Sequence, residues 1–478
     1  MQRIRKAKSA TMLRAFPILF FLISLCCVFP TLGQQNFYDT DLLPPSFHAE
    51  RRDALRKLMS ENSVAFLFAN PIRNRTNDVD YQYVQDPDLY YLTGLTEPNS
   101  VLMISNATFK VNGKETKEAL FIMGRDSAAE IWTGRQLGFE EAQTRLGITV
   151  VLSTKEFGKC IADLTSFNKV LAKFPTDIRE SKSLKENLGG LVWTFKDKAE
   201  LQQIEVATAP LLKNMATLRE HKKPEEIALM QKAIDMTCEG LAEAIRAAKP
   251  GMAEHQAQAI VEFYFKYRGA EYPGYGSISG GGENTCVLHY VTNRKRLGPN
   301  DMLLMDMGAE YHGYTADVTR TIPVSGTFNP EQKAIYELVL KAQEAGIQAC
   351  LKGNGFYDPH QAALKIISEG LVDLGIIKDR SAARRYFNHG SSHYLGLEVH
   401  DAGNYGPLQP SQVITVEPGI YIPPGSPCDK KWWNIGIRIE DDVLITEKEP
   451  FVMSGALVKT VAELEKLMAE PSLFDSVK

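Results

Sequence analysis

Two acidic residues lie inside apolar runs near the middle of the chain, and they restrict the fold more than any other feature. Asp306 lies in the run MLLMDMG and Asp317 in the run YTADVTRT. An unpaired carboxylate buried in such a run is costly, because its charge loses the hydration that water provides. A bound cation removes that cost. The fold is therefore expected to bring further metal ligands to the same place.

Three further residues of metal-ligand type follow in the sequence. They are His393 in NHGSSHYLG, Glu417 in ITVEPGIY and Glu440 in IGIRIEDD. A single acid is more commonly a helix cap or a solvated charge, but that explanation fails for the whole set. Four carboxylates and one imidazole suit Mn²⁺, with Zn²⁺, Co²⁺ or Fe²⁺ as alternatives.

The spacing of the acids predicts two β-hairpins. Asp306 and Asp317 are 11 positions apart (317 − 306) and flank a turn near His312. Directly opposed residues of an antiparallel pair have Cβ atoms about 5 Å apart. That separation suits carboxylates that share two metal ions about 3.5–4 Å apart. Glu417 and Glu440 repeat the arrangement on a second pair of β-like runs.

The N-terminus has the composition of a secretory signal peptide. A basic segment precedes the apolar run Ala15–Phe29, and small residues follow it before Gln34. The run is short for a membrane span, which needs about 20 residues. We expect residues 1–33 to be removed and the chain to be exported, periplasmic or secreted, without stable membrane association. An uncleaved anchor and a lipoprotein modified at Cys26 or Cys27 are the alternatives.

The overall composition is that of a globular protein. The chain has 478 residues, 44% of them hydrophobic, and a formal net charge of −4. This length fits two or three domains. The charge gives no reason to expect nucleic acid as a partner. The seven cysteines are scattered and show neither a disulfide framework nor a CxxC metal site.

Periodicity divides the rest of the chain into two α/β domains. In residues 34–175, short apolar runs alternate with helical patterns, which predicts an N-terminal α/β domain. Residues 176–217 form a charged connection with one expected strand, Gly190–Phe195. The second domain, residues 218–470, contains all five candidate ligands.

The second domain repeats one arrangement of elements. A helix that begins at Pro224 and a second over 253–267 precede the hairpin with the two aspartates. Helices that begin at Pro330 and Asp358 precede the hairpin with the two glutamates. Such an internal repeat predicts two halves about a pseudo-twofold axis, with the site where they meet.

The sequences around the candidate ligands resemble those of a known family. DMGAEYHGYTADVTRT, HGSSHYLGLEVHD, TVEPGIYIP and GIRIEDD are similar to the motifs of the pita-bread metallopeptidases, which include aminopeptidase P, prolidase and methionine aminopeptidase. More loosely, DPDLYYLTG and EIWTGR resemble the N-terminal domain of aminopeptidase P and prolidase. The resemblance implies a creatinase-like α/β domain followed by a pita-bread catalytic domain.

The resemblance also implies a role for each ligand. Asp317 and Glu440 would bridge two divalent metal ions in each chain. Asp306 would bind one ion, and His393 with Glu417 would complete the ligands of the other. Attack of a hydroxide held between the two ions is the expected chemistry, since such a water ionises near neutral pH. Glu417 is the expected carrier of its proton.

Other polar residues are expected to serve the substrate. His389 and His400 match the family's stretch that holds the scissile carbonyl and the residue after it, and His289, in VLHY, frames the same site. They can donate to the negative charge that develops on the intermediate. A histidine near an apolar run is otherwise more often structural. Arg438 and Tyr421 are expected in the same cleft.

Peptides with proline in the second position are the expected substrates. Proline lacks an N–H and holds φ at about −65°, so most proteases do not accept an Xaa-Pro bond. The compact connection between the two glutamates resembles aminopeptidase P, which releases the N-terminal residue. An Xaa-Pro dipeptidase (prolidase) is the alternative. A non-enzymatic peptide-binding protein is a more remote alternative, because such relatives have lost the metal ligands and this chain has all five candidate residues.

Trp132 predicts an oligomer. The motif AEIWTGRQLG places this large aromatic next to turn residues, where a surface position is more natural than a core one. In aminopeptidase P the matching loop reaches the mouth of a neighbouring subunit's active site. We therefore expect a homodimer or homotetramer in which Trp132 borders the substrate cleft of another chain, since interface aromatics often carry much of the binding energy.

The signal-peptide prediction can be tested directly. Cleavage after Gly33 should give a mature chain that begins at Gln34 and lies outside the cytosol. Intact-mass measurement of protein from its native source checks this. A cytosolic chain that retains Met1 would contradict the predicted export.

Overall fold

The structure is a computed structural model that describes residues 39–476. The predicted signal peptide lies outside the described residues. The chain divides into a short unit, Met1–Leu42, and a large unit, Leu43–Lys478. All elements below belong to the large unit. Over the described range, no helix is both long and apolar enough to cross a bilayer.

The first part of the large unit is a mixed sheet flanked by helices. Its helices and strands are, in chain order, α1 Pro45–Leu58, β1 Ser63–Phe68, β2 Asn74–Thr76, β3 Val79–Asp80, α2 Pro87–Thr93, β4 Val101–Val111, β5 Lys114–Ile122, α3 Ser127–Thr133, α4 Phe139–Leu146, β6 Val151–Ser153, α5 Phe157–Cys160, β7 Lys169–Lys173, α6 Leu188–Leu201, β8 Val206–Ala207 and α7 Ala209–Arg219.

Strand β1 lies inside this sheet because its sequence, SVAFLF, is suited to burial on both faces. All its residues are buried, as is typical of a strand covered on both sides. It pairs antiparallel with β4 and parallel with β7, in the strand order β6-β5-β4-β1-β7-β8. Phe66 packs against Phe157 and Phe195, which come from helices α5 and α6.

The strand predicted over Gly190–Phe195 is wrong, because these residues lie in helix α6. Asn187 caps the helix by accepting a hydrogen bond from the Gly190 N–H at 2.9 Å. A Cβ at Gly190 would lie 1.9 Å from the Leu184 carbonyl oxygen, so glycine permits this close contact. Periodicity alone does not distinguish a short buried strand from a buried helical segment.

The second part of the large unit consists of paired helices and short sheets. Its helices and strands are α8 Pro224–Ala247, α9 Glu254–Arg268, β9 Tyr272–Pro273, β10 Ile278–Gly281, β11 Met302–Met307, β12 Ala309–Tyr311, β13 Tyr314–Thr315, β14 Val318–Pro323, α10 Pro330–Gln348, α11 Asp358–Asp373, β15 Val413–Val416, β16 Gly419–Ile422, β17 Ile435–Arg438, β18 Asp441–Leu444, β19 Phe451–Val452 and α12 Val461–Met468.

The predicted internal repeat is confirmed by this order of elements. Helices α8 and α9 pack together before the first hairpin, and α10 and α11 pack together before the second. The first helix of each half begins with a proline and a capping box. In α8, Glu226 accepts from the Lys223 N–H at 2.8 Å. In α10, Asn329 accepts from the Gln332 N–H at 2.8 Å.

The first hairpin differs from the expected register by two residues. Asp306 in β11 lies opposite Thr319 in β14, so Asp317 is its diagonal neighbour and not its directly opposed one. Side chains alternate between faces, so an offset of two keeps both aspartates on the same face. A Cβ at Gly308 would lie 1.8 Å from the Ala316 carbonyl oxygen. Glycine therefore allows the two strands to approach closely between the aspartates.

The second hairpin is interrupted at the two glutamates. Val416 pairs with Asp441 in the outer strand pair, β15–β18, and Gly419 pairs with Arg438 in the inner pair, β16–β17. Glu417 and Glu440 lie at the break between these pairs. The Glu440 N–H donates to the Thr319 carbonyl at 3.1 Å. This bond joins the second hairpin to the first, so the acids of both halves meet.

Candidate metal centre

Four carboxylates and one imidazole meet where the two hairpins join. All five candidate ligands line one cavity of about 450 Å³. Asp317, His393 and Glu440 each place one ligand atom within 4.8 Å of the others. His393 Nε2 lies 3.4 Å from an Asp317 oxygen and 3.6 Å from a Glu417 oxygen. The structure therefore brings the predicted ligands together.

The ring of His393 is oriented by its own backbone. Its Nδ1 lies 3.0 Å from the Tyr394 carbonyl oxygen, which can only accept a hydrogen bond. Nδ1 therefore donates to the backbone, and Nε2 faces the carboxylates. Burial acts to lower the pKa of His393, but Asp317 and Glu417 raise it to about 9 in the absence of metal, so Nε2 is then protonated as well. With Nδ1 held by the backbone, Nε2 is the nitrogen that would bind a metal ion in place of that proton.

Several residues that the sequence did not single out hold the carboxylates in place. The Tyr275 hydroxyl lies 2.7 Å from Asp306 and 2.6 Å from Asp317. The Thr319 hydroxyl donates to Glu440 at 2.6 Å. Thr319 lies in β14 and Asp317 directly precedes that strand, two residues before Thr319, so the alternation of side chains could have indicated it. Tyr275 carries no such signal, because it precedes β10 in an irregular segment.

Burial and crowding oppose ionisation of these acids. Burial, and then Asp317 and Asp306, raise the pKa of Glu417 to about 7, although His393 opposes the shift. Burial raises the pKa of Asp306. Burial, with Asp317 and Glu417 next, raises the pKa of Glu440 well above its usual range. Without cations, the cavity therefore favours protonation of these acids, and bound divalent cations would take the place of those protons.

The residues present fit a pair of divalent cations. The donor set is rich in carboxylate oxygens, which hard divalent cations such as Mn²⁺ prefer. Within residues 39–476, a further acceptor atom behind the site, Asp442 Oδ1, is buried without a hydrogen-bond partner. Its other oxygen accepts from the Asp317 N–H at 3.1 Å. Cations in the cavity would compensate this surplus of buried acceptors.

Arg438 connects the acids with one of the predicted substrate histidines. Its guanidinium donates to Asp306 and, at 2.9 Å, to the Tyr421 hydroxyl. The Tyr421 hydroxyl lies 2.9 Å from His389 Nε2. Tyr421 was predicted to line the cleft, but its side chain is buried and is not among the residues that line the cavity. It contacts the lining residues Arg438 and His389 from behind. Arg438 itself lines the cavity.

Both ring nitrogens of His389 are engaged by the protein. Nδ1 lies 2.7 Å from the Gly390 carbonyl oxygen, so it carries the proton. Nε2 then accepts from the Tyr421 hydroxyl. Burial, and next the charge of Arg438, lower the pKa of His389 to about 4. His389 is therefore a neutral ring with no free N–H, and its Nδ1 also lies 3.6 Å from a Glu417 oxygen.

The other two substrate histidines and Trp132 occupy different positions. His289 and His400 line the same cavity, and the ring of His400 lies 4.3 Å from that of His393, centroid to centroid. Trp132 lies on α3 with 88% of its surface exposed, outside the residues that line the cavity of its own chain.

Comparison with known proteins agrees with this geometry. Residues 228–447 match the family described as metallopeptidase family M24, and residues 48–171 match the aminopeptidase P N-terminal domain. An Xaa-Pro aminopeptidase of Haemophilus influenzae is 35% identical over 438 residues, which cover 89% of this chain and 98% of the relative. This chain belongs to metallopeptidase family M24. The family assignment drawn from the motifs is thus confirmed.

Solved structures of M24 enzymes have the same fold. Aminopeptidase P from Escherichia coli with the inhibitor Pro-Leu superposes with a TM-score of 0.81 at 34% identity, covering 89% of this chain and 98% of that one. A zinc-substituted form of the Escherichia coli enzyme in complex with product has a TM-score of 0.80 at 34% identity and the same coverage. The predicted fold class is therefore confirmed over both domains.

The burial of Glu440 predicts opposite effects of one substitution with and without metal. Without metal, the folded protein raises the pKa of Glu440 well above its usual range, which costs folding free energy at neutral pH. Glu440→Gln removes that cost but keeps an acceptor for Thr319, so the metal-free variant should melt above metal-free wild type. Saturating Mn²⁺ should stabilise wild type by about 2.7 kcal/mol at 100 times Kd and the variant by much less. Thermal melting with and without chelator measures both.

An exposed acid provides the control for this experiment. Glu283 is exposed on the surface of the same domain, in the other half of the repeat, and Glu283→Gln should leave both melting temperatures unchanged. A Glu440→Gln protein that keeps the full metal-dependent shift would show that Glu440 is not a ligand. A lower melting temperature of the metal-free variant would show that the buried Glu440 carboxyl does not destabilise the metal-free protein.

Proposed function

We propose that this chain is a metal-dependent exopeptidase that releases the N-terminal residue from peptides with proline in the second position. The main support for this proposal is that five candidate ligands, which occur along the chain in the order Asp, Asp, His, Glu, Glu, line one cavity. The chain also matches Xaa-Pro aminopeptidases over both domains. A protein with this complete ligand set does not fit the non-enzymatic alternative.

The proposed cofactor is a pair of divalent metal ions. Asp317 and Glu440 would bridge them, Asp306 would complete one ligand set, and His393 with Glu417 would complete the other. The carboxylate-rich donors favour Mn²⁺, and the zinc-substituted Escherichia coli structure supports Zn²⁺ as the second metal to test. When bound, the ions lower the pKa of water and so supply the nucleophile.

Residues of the chain would then move the proton and hold the substrate. Glu417 faces the cavity and is placed to take a proton from the attacking water. It can return that proton to the proline nitrogen, which must be protonated to leave as a free amine. His289 and His400 also line the cavity, where an N–H from either can stabilise the developing oxyanion.

His389 has a different proposed role from the other two histidines. Its nitrogens are engaged by Gly390 and Tyr421, so it does not offer a hydrogen bond to the substrate. The neutral ring can instead pack against an apolar group, and the pyrrolidine ring of proline is such a group. Tyr421 and Arg438 would act by fixing this ring.

We propose aminopeptidase P activity over the prolidase alternative, and substrate length separates them. Metal-loaded protein should release free arginine from Arg-Pro-Pro and should cleave Gly-Pro much more slowly, because an aminopeptidase of this kind acts on longer peptides. Separation and mass identification of the products measure this. Cleavage of Gly-Pro alone would favour prolidase, and cleavage of neither peptide by metal-loaded protein would contradict both.

We also propose a homodimer or homotetramer that buries Trp132. Trp132 and its neighbour Ile131 are 88% and 82% exposed on one short helix, α3. Adjacent large apolar side chains at a surface are typical of an interaction site. An interface there would place Trp132 beside the cleft of another chain, where it could limit entry to narrow peptide ends.

The oligomer proposal predicts a linked loss of assembly and selectivity. Trp132→Ala should lower the mass measured by light scattering and raise KM for longer peptides more than it lowers kcat for the smallest substrate. Tyr267→Ala is the matched control, since Tyr267 is an aromatic with 71% exposure on the catalytic domain. A fully active wild-type monomer would exclude the shared cleft.

Export through the secretory route is proposed on the N-terminal sequence alone. Its support is the basic segment followed by Ala15–Phe29 and small residues. An exported peptidase would meet peptides outside the cytosol, so the location of this chain decides which peptides it encounters.

A further inference from the structure

A buried network of ion pairs connects the N-terminal part of the chain to the segment that carries His400. Its centre is Arg219, the last residue of α7, which is 2% exposed. Arg219 donates to Asp88 of helix α2 at 2.8 Å. It also donates to Asp401, the residue directly after His400. One guanidinium thus joins residues from both parts of the large unit.

The segment that carries His400 has little support from its own backbone. Residues 396–404, here called the His400 loop, are all described and contain no helix or strand. The Asp401 N–H donates to the Tyr394 carbonyl at 2.9 Å, and the Gly396 carbonyl accepts from Thr315 at 2.9 Å. Within the loop, the Gly396 N–H donates to the carbonyl two residues further on at 3.2 Å. The side chain of Asp401 provides a buried, charged anchor.

Asp401 is held by two cations and by the shape of the loop. One carboxylate oxygen accepts from Arg219, and the other accepts from Lys222 at 3.0 Å. Both cations are 2% exposed. A Cβ at Gly396 would lie 2.3 Å from the Asp401 carboxylate, so glycine makes room for it. The residue next to His400 therefore has a fixed position inside the protein.

The network is anchored in the N-terminal part through Asp88. Its second oxygen accepts from Lys173 of β7 at 2.8 Å. Lys173 also lies 3.0 Å from Asp86, the cap of α2. On the other side, Arg219 donates to Glu398 of the His400 loop at 2.9 Å. Two of the three carboxylates around Arg219 thus belong to the His400 loop, and the third belongs to the N-terminal part.

We propose that Arg219, Asp88 and Asp401 are positioning residues that hold the His400 loop, and with it the His400 ring, at the metal centre. The inference rests on the proposed function, because His400 must act on the substrate for its position to matter. It assigns the N-terminal part a direct contribution to the active site of its own chain, separate from any role of Trp132 in assembly.

The physical reason is that a buried ion pair does not tolerate the loss of one partner. Without the Asp88 carboxylate, the charge of Arg219 is shared by the two carboxylates of the loop alone, and the guanidinium is free to shift toward them. Because the loop is bound to Arg219 through Glu398 and Asp401, a shift of the guanidinium would move the loop and the His400 ring. Displacement of a catalytic group by about 1 Å can lower turnover by about 100-fold.

The test compares two ion-paired carboxylates of the N-terminal part, Asp88 and Glu118, in the full-length, metal-loaded protein. Asp88→Asn should lower kcat for Arg-Pro-Pro on the order of tenfold, with little change in KM. Elemental analysis should find the same metal content as in wild type. Glu118→Gln is the control. Glu118 pairs with Arg52 at 2.9 Å in the same domain, without contact to the loop, and this variant should keep wild-type kcat.

The His400→Ala background separates positioning from general stability. There, Asp88→Asn should change the remaining kcat by less than about twofold, since its effect acts through the missing ring. An equal loss of kcat in both backgrounds, or the same loss in Glu118→Gln, would overturn the inference. Inactive wild type would instead contradict the proposed function itself.

A second variant covers the case in which Asp88→Asn does not fold. The Glu398 side chain is 48% exposed, so Glu398→Gln leaves the buried part of the network intact and is expected to fold. It should lower kcat in the presence of His400 and have no further effect in its absence. Wild-type kcat in Glu398→Gln would count against the inference.

Discussion

The structure depends on the burial of several like charges in one place. Asp306, Asp317, Glu417 and Glu440 come from two hairpins that are far apart in sequence, and they share one cavity. No single half of the fold contains the complete ligand set. The hydrogen bond from the Glu440 N–H to the Thr319 carbonyl joins the hairpins, so the geometry of the site and the packing of the two halves depend on each other.

Cations lie behind the cluster and pair with the residue next to Glu440, not with Glu440 itself. After Glu440, which faces the cavity, Asp441 points the other way and pairs with Arg320 at 2.8 Å. Burial acts to raise the pKa of Asp441, but Arg320 and Lys459 lower it below its usual range. Arg320 also donates to the Glu440 carbonyl at 2.7 Å. The cations behind the site therefore fix the backbone while the cavity itself stays acidic.

The substrate side of the cavity is organised by longer connections. Arg438 links Asp306 to Tyr421 and so to His389, which ties the metal ligands to the proposed proline contact. Arg219 links Asp88 to Asp401 and so to the His400 loop. In both cases a buried guanidinium bridges groups from different elements, which suits its planar arrangement of several donors. His389 and His400, which both line the cavity, are thereby held by different elements of the fold.

The sequence by itself determined the five candidate ligands, the internal repeat and the family, because these are local motifs and spacings along the chain. It did not determine the two-residue offset between Asp306 and Asp317 or the helical state of Gly190–Phe195, since register and buried segments are decided by packing against other elements. Nor did it indicate the network of Arg219, whose bonds to Asp88 and Asp401 span 131 and 182 positions. Only the tertiary structure brings such distant charges together, because each is tolerated in the interior only where the others already lie.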